Sequence, residues 1–407
     1  MNVNEALRGK ILKICIVTTM FPKFPGDYYG SFIFDEVKEL VKRGFEVHVV
    51  TQHNPGIPYE EIMDDIHIHR FRWLEPKTFR ALVHFKGLMD TFRMLTYVFS
   101  LFFSLIGIMR KYNIQLIHAH SVIPTGFIAA VVSKIMSKPL VITAHGMDIN
   151  NFENQRFFNF FISSSLNSSS KSIAVSEDLA KKMRSKVNDE NKIVVLRNAV
   201  DTKRFNPNRN RTMRQNLGIQ DDDILILFVG YLDIFKGIFE LINAFGKIAT
   251  DDKNVKLIML GAGPKKDDLA NILNEMGVKN KVMFPGMIEH QRIHQYYQAA
   301  DIFVLPSYTE GGGPPLVVME AMACGLPIIG TNVGGLPEGI ENGVNGFILP
   351  PKNVDQLTEK LNILIKNKDL RKKFGKNSLE RIEEYSLALG KKTEKLINIY
   401  ENLIKNY

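Results

Sequence analysis

Two glutamates, Glu310 and Glu320, stand with nine residues between them in the stretch ADIFVLPSYTEGGGPPLVVMEAMACGLPIIGTNVGGLPE, residues 300–338. The apolar run from Asp301 to Leu305 ends at Pro306 and predicts a buried strand. A loop rich in glycine and proline follows. Residues 316–324 predict a helix stopped by Gly325, and residues 326–330 the next strand. Glu310 therefore falls in a loop at the carboxyl end of a strand, and Glu320 on the helix behind it. Ligands of open α/β sheets bind at such strand ends, where helix amino-termini present free N–H groups. Carboxylates take hydroxyls and N–H groups take phosphates, so the pair suits a ligand that carries both. A nucleotide sugar is such a ligand.

A cation is set beside a glycine earlier in the same half. Residues 224–230 predict a strand ending at Gly230, and Lys236 precedes an amphipathic helix that runs to about Ala249. Lys236 would supply charge, and the backbone directed donors, for a diphosphate. A further strand, 255–261, enters the tight turn Gly261-Ala262-Gly263-Pro264, and residues 282–285 run into Gly286. Helices are expected over 289–300, 354–366 and 379–405. The first half begins with a strand, 11–18, and a loop, 19–30, that holds Gly26 and Gly30. A helix over 31–42, with Phe34, Val37, Leu40 and Val41 on one side, and a strand over 46–51 complete a βαβ start. Strands at 66–73, 115–119 and 140–143 follow, with a helix at 124–136. The strand 115–119 carries His118 and is followed by His120; 140–143 leads into His145-Gly146-Met147-Asp148. The G-x-G-x-x-G fingerprint is absent, which disfavours a dinucleotide.

These segments together resemble the retaining glycosyltransferases of family 4. Their GT-B fold is α/β, with two Rossmann-like doubly wound domains facing each other across a cleft. The stretch 300–338 resembles the family's donor signature, in which seven residues separate the two glutamates. Aligned backward from Glu320, the first-glutamate position is Gly312. Either Glu310 fills that role through a two-glycine expansion absorbed by Gly311, Gly312 and Gly313, or a shifted loop position does. The resemblance implies that Glu310 holds the donor sugar and Glu320 the ribose. Gly230-Tyr231 and Lys236-Gly237 are similar to the family's G-R…K-G, in which arginine and lysine clamp the phosphates. Here Tyr231 stands at the arginine position. Gly263 lies in the family's G-x-G-P turn, and Gly286 near the strand end where the base is held. His145, in a THG-like context, is implied to lie near the transferred sugar. Gly30 and Gly26 belong to the loop that approaches donor and acceptor, and plain turns explain them equally well. His118, His120 and Asp148 fall on the acceptor side, the two histidines being equally well read as structural. Arg197–Asp201 resembles the N-G-V-D segment that closes the first domain. The expected layout is an acceptor-binding domain, 1–205, a nucleotide-sugar-binding domain, 206–385, and a last helix, 386–407, crossing back onto the first domain. The implied activity moves a hexosyl group from a UDP-sugar or GDP-mannose to a lipid-linked or envelope glycan acceptor. Anomeric configuration is retained, and neither a metal nor another cofactor is required. The alternative is a nucleotide-sugar 2-epimerase on the same architecture; a nicotinamide oxidoreductase is a further rival.

The chain has 407 residues, more than one core usually serves, with 45% hydrophobic and 23% charged residues. Its net charge of +9 is uneven. Between Arg70 and Lys111 eight basic residues stand against two acids, Glu75 and Asp90, among many large apolar ones and the only tryptophan, Trp73. That mixture suits an anionic membrane surface as a partner through 70–111, or a buried helix with a solvated basic end. The uncharged run 94–109 is shorter than the roughly 20 residues of a spanning helix. No nucleic-acid motif occurs. Cys15 and Cys324 read as core residues of a reducing compartment, and His53, His67, His69 and His84 as structural. No signal-peptide pattern is read at the start, so a cytoplasmic protein, peripheral on the inner face of the plasma membrane, is expected.

Overall fold

The computed structural model describes residues 11–75, 88–152, 155–252, 254–385 and 387–407. The chain divides into two compact units: Met1–Leu196 with Thr393–Tyr407, and Arg197–Lys392.

Among the described residues the first unit holds eight strands: β1 Lys13–Val17, β2 Glu46–Gln52, β3 Glu60–Met63, β4 Ile66–Phe71, β5 Leu116–His120, β6 Leu140–Ala144, β7 Lys171–Ala174 and β8 Ile193–Val195. They form one sheet in the order β3-β4-β2-β1-β5-β6-β7-β8. Every pairing is parallel except β3 with β4. Its inner strands are buried on both faces because helices cover them, so that the histidines of β2 and β5 are enclosed along with the apolar residues. On one face α1, Ser31–Lys42, buries Ile33, Val37 and Leu40 beside Leu396 and Tyr400 of the closing helix Leu389–Lys405. On the other lie α2 Leu88–Tyr112, α3 Phe127–Met136, α4 Arg156–Ser168 and α5 Glu177–Arg184. The chain turns from one half of the sheet to the other between β1 and β5, so the loops after these strands diverge there and leave a crevice.

In the second unit the described strands are β9 Ile224–Val229, β10 Val255–Leu260, β11 Val282–Gly286, β12 Ile302–Leu305, β13 Ile328–Thr331 and β14 Gly346–Leu349. Their order, β11-β10-β9-β12-β13-β14, is all parallel and reverses between β9 and β12. Helices α6 Ile238–Asp251, α7 Lys266–Glu275, α8 Leu316–Ala323, α9 Val354–Lys366 and α10 Lys368–Glu384 belong to this unit.

Three expectations change. The uncharged run 94–109, read as shorter than a spanning helix, lies inside a helix from Leu88 to Tyr112, 25 residues, which continues past the charges at either end of the run. By length and composition it is long enough to cross a membrane. The helix read at 379–405 is two. The chain leaves α10 at Tyr385, and Ala388 then pairs with Val200, which donates its N–H to Leu387 O and accepts from Leu389 N–H, both at 2.9 Å. The helix read at 289–300 shortens to His294–Ala299, preceded by turns. Strand β3 was not foreseen; its burial is low, as suits an antiparallel edge. Lys77, Arg80, Lys86 and His84 lie outside the described residues.

Candidate active site

In the second unit the chemistry gathers where the strand order reverses. Lys236 ends the short turn Ile234–Lys236 after β9. Gly237 follows with φ of 65°, and a Cβ there would lie 1.9 Å from Pro306 O. Only glycine lets the loops after β9 and β12 touch in this way. A second tie is Tyr308 N–H to Phe235 O, 2.8 Å. The latch brings Lys236 Nζ to 2.5 Å from Glu310 Oε1, and Ser307 donates its Oγ–H to the same oxygen at 2.6 Å. Ser307 is itself fixed, since Thr331 Oγ1 donates to its carbonyl at 2.5 Å. The side chains of Lys236 and Glu310 are 19% and 9% exposed, so the pair is shielded yet open on one side.

The remaining donor-side residues line the same strand ends. Gly230 donates its N–H to Leu260 O at 3.0 Å, Gly261 to Gly286 O at 2.9 Å, and Gly263 packs against Leu232. Gly312 and Gly313 are half-buried in the loop of Glu310, with Gly313 against Gly335. Gly312 brings no carboxylate, whereas Glu310 does, at Lys236. Tyr231 is exposed and stacks with Phe235, ring centroids 6.3 Å apart. Glu320 lies in the second turn of α8, buried, and accepts from Tyr297 O–H at 2.7 Å. A concavity at the opposite strand ends is lined by Arg209, Asp301 and Arg371 among others, with Arg209 paired to Asp301 at 2.9 Å.

The first unit gathers its polar residues at the reversal between β1 and β5. Gly30, with φ of 72°, begins α1, and a Cβ there would lie 2.4 Å from the carbonyl of Met20. His120 closes β5, and its Nδ1 is 3.1 Å from His145 Nε2, with Glu36 Oε1 at 3.7 Å from its Nε2. His145 is half-buried after β6, its ring edge on to Phe32 at 5.2 Å. Asp148 fixes that loop: its carboxylate accepts from the backbone N–H of Val122 at 2.7 Å, Gly146 at 2.9 Å and His145 at 3.1 Å. Burial pushes the Asp148 carboxyl above its ordinary range, and these three donors oppose the push. Asp148 thus shapes the loop from within, with its carboxylate directed at backbone.

His118 is drawn into the interior, with Tyr400 O–H 2.5 Å from its Nδ1 and Thr143 Oγ1 2.7 Å from its Nε2. Glu36, His118 and His120 bring three ligand atoms within 4.8 Å of one another, but the two partners of His118 make it a member of a hydrogen-bonded network. Gly26 lies in the turn from Phe24 to Asp27, closed by Asp27 N–H to Phe24 O at 3.1 Å. Ser307, Tyr297 and Glu36 were not singled out in the sequence. Tyr297 and Glu36 act on site residues distant along the chain, and Ser307 on Glu310 three residues on, a contact that no sequence pattern marks.

Two family models cover most of the chain: Glycosyltransferase Family 4 over residues 30–204 and Glycosyl transferases group 1 over residues 209–381. An uncharacterized glycosyltransferase of Methanocaldococcus jannaschii is 29% identical over 404 residues, covering 96% of this chain and 98% of that protein. A putative teichuronic acid biosynthesis glycosyltransferase of Bacillus subtilis is 28% identical, over 86% of this chain and 88% of that protein. A solved structure of HepE from Anabaena, in complex with UDP, superposes with a TM-score of 0.74 at 18% identity, covering 96% of this chain and all of that one. The fold is that of the GT-B glycosyltransferases. The chain belongs to the family 4 glycosyltransferases, the glycosyl transferases group 1, and is a glycosyltransferase of the EC 2.4 type.

Proposed function

We propose that the enzyme moves a hexosyl group, with retention of configuration, from a nucleoside diphosphate sugar to a lipid-linked or envelope glycan acceptor at the cytoplasmic membrane face. The donor is a UDP-sugar or GDP-mannose. The observation that carries the reading is the convergence of Lys236, Glu310 and Ser307 where the second sheet reverses, with Gly230, Gly263 and Gly286 along the adjoining strand ends. Support also comes from the UDP held by HepE and from the teichuronic acid biosynthesis named for the Bacillus subtilis relative.

As the glycosidic bond breaks, negative charge grows on the diphosphate and positive charge on the sugar. Lys236 stabilises the first, and preorganised charge of this kind is usually the largest catalytic contribution. Glu310 receives the sugar hydroxyls, held in place by Ser307 while Lys236 turns to phosphate. Glu320, fixed by Tyr297, receives the ribose hydroxyls. Tyr231 adds no charge at the family's arginine position, so neutralisation falls on Lys236 and the backbone N–H groups. His145 hydrogen-bonds at the reacting centre, with His120 and Asp148 orienting it from behind.

The test is proton NMR of the reaction with UDP-glucose and GDP-mannose, with and without a lipid-extracted acceptor fraction. The reading expects a new glycoside of the donor's own anomeric configuration only when acceptor is present. An inverted product, or a changed sugar nucleotide formed without acceptor, contradicts it.

A further inference from the structure

We propose that the face built by α2, α3 and α4 of the first unit lies in the plane of an anionic lipid surface. The inference deepens the acceptor reading above, since a lipid-linked acceptor is met at such a surface, and its test does not depend on turnover.

Helix α2 is apolar on two sides. Tyr97, Leu101, Leu105, Ile108 and Met109 face the core of the unit. The opposite stripe faces water, with Phe92 54%, Phe99 57% and Phe103 67% exposed, and Met89 and Leu95 beside them. α3 packs against α2, and α4 against α3. α3 adds exposed Val131 and Ile135, and α4 adds Phe157 and Phe160 at 69% and 68%. Single exposed apolar side chains are ordinary, but so many on three helices packed one against the next mark a contact surface.

Charge indicates what covers it. The only acid on the three helices is Asp90, held by Arg93 at 3.0 Å. The other charged residues, Arg93, Arg110, Lys111, Lys134 and Arg156, are all basic. A second copy docked on this face would set like charges together, whereas anionic headgroups would neutralise them. The geometry points to a helix lying in the interface. α2 is long enough to span, yet one of its stripes is core of the unit, and spanning would strip that core. From Met89 to Phe103 the exposed stripe extends about 21 Å at 1.5 Å per residue, a contact suited to the headgroup boundary.

The experiment is co-sedimentation of the full chain with phosphatidylcholine vesicles, with and without phosphatidylglycerol, at low and high salt. The protein is expected to sediment with the anionic vesicles and to be released by salt. F99S/F103S/F160S should lower the bound fraction about tenfold or more with an unchanged melting temperature, because these side chains are exposed. R110E/K111E/K134E should erase the preference for phosphatidylglycerol. Failure to sediment with either vesicle overturns the proposal, as do equal binding to neutral vesicles and unchanged binding by the serine variant. A concentration-dependent dimer dissolved by the same serine substitutions would also overturn it and assign the face to a second copy. Binding of UDP and GDP by the same preparations separates failure of this surface from failure of the donor reading.

Discussion

Replacing Lys236 by methionine tests the diphosphate role and can be worked through from the geometry. The ammonium lies 2.5 Å from Glu310 Oε1, with the two side chains 19% and 9% exposed. Such a charge-assisted hydrogen bond is worth about 1.5–3 kcal/mol, and Glu310 keeps Ser307 after the change. The free enzyme should therefore lose roughly that much stability, or about 3–12 °C in the melting of its second unit. Catalysis should lose more. Removing one preorganised charge from a leaving group costs about a hundredfold to a thousandfold in kcat, or roughly 2.7–4 kcal/mol. The assay is initial-rate transfer with saturating donor, run below the melting transition, together with K236M/E310Q. If the pair serves only the fold, the double variant should regain both stability and rate. If both groups serve the donor, the double variant should regain stability and remain inactive. A kcat within about threefold of wild type for K236M would refute the reasoning.

Further outcomes follow from the same geometry. Gly237→Ala sets a Cβ against Pro306 O at a positive φ, so it should cost about 1–3 kcal/mol in urea unfolding and weaken UDP binding by displacing Ser307 and Glu310. Asp148→Ala should leave three backbone N–H groups without their acceptor and lower stability by about 1–3 kcal/mol; loss of rate beyond the loss of folded protein would report on His145. His48 and His69, with Nδ1 of one 3.1 Å from Nε2 of the other in the first sheet, contribute to the pH dependence of stability. Burial first, and then the charge of His48, lowers His69 to about 4, and burial lowers His48. Folded-state values below the unfolded 6.5 mean that the folded form binds fewer protons. Their contribution is present above pH 6.5 and lost as pH falls towards 4, by up to roughly 1.4 kcal/mol per pH unit per group. Urea midpoints from pH 7.5 to 4.5 should fall accordingly, and His69→Gln should flatten the slope; an equal slope in that variant would count against it.

The legible parts of the fold were those whose cause is local. Helix α1 was read with its observed ends because its apolar spacing and Gly44 lie within a few turns of each other. The strand ends carrying Gly230, Gly263, Gly286 and Glu310 were legible because apolar runs stop abruptly at glycine or proline. What escaped depends on distant partners. The break after α10 arises from Val200, far back in the chain, which takes up the backbone of Leu387 and Leu389. Tyr297 on Glu320 and Glu36 beside His120 are likewise invisible to any local window. His118 and His120 read alike in sequence and share one face of β5, their ring centroids 4.4 Å apart, yet the first meets Tyr400 and Thr143 and the second, at the strand end, meets His145. The length of α2 was not legible because only its uncharged run 94–109 was measured, and the helix continues through Asp90, Arg93, Arg110 and Lys111.

The most direct test of the central claim is calorimetric titration of the enzyme with UDP, GDP, ADP and NAD, repeated with K236M and with E320A. The account predicts that UDP or GDP binds the wild type and that affinity falls at least about tenfold in each variant, about 1.4 kcal/mol apiece. Binding of NAD alone, or of a nucleoside diphosphate with affinity unchanged in both variants, would contradict it.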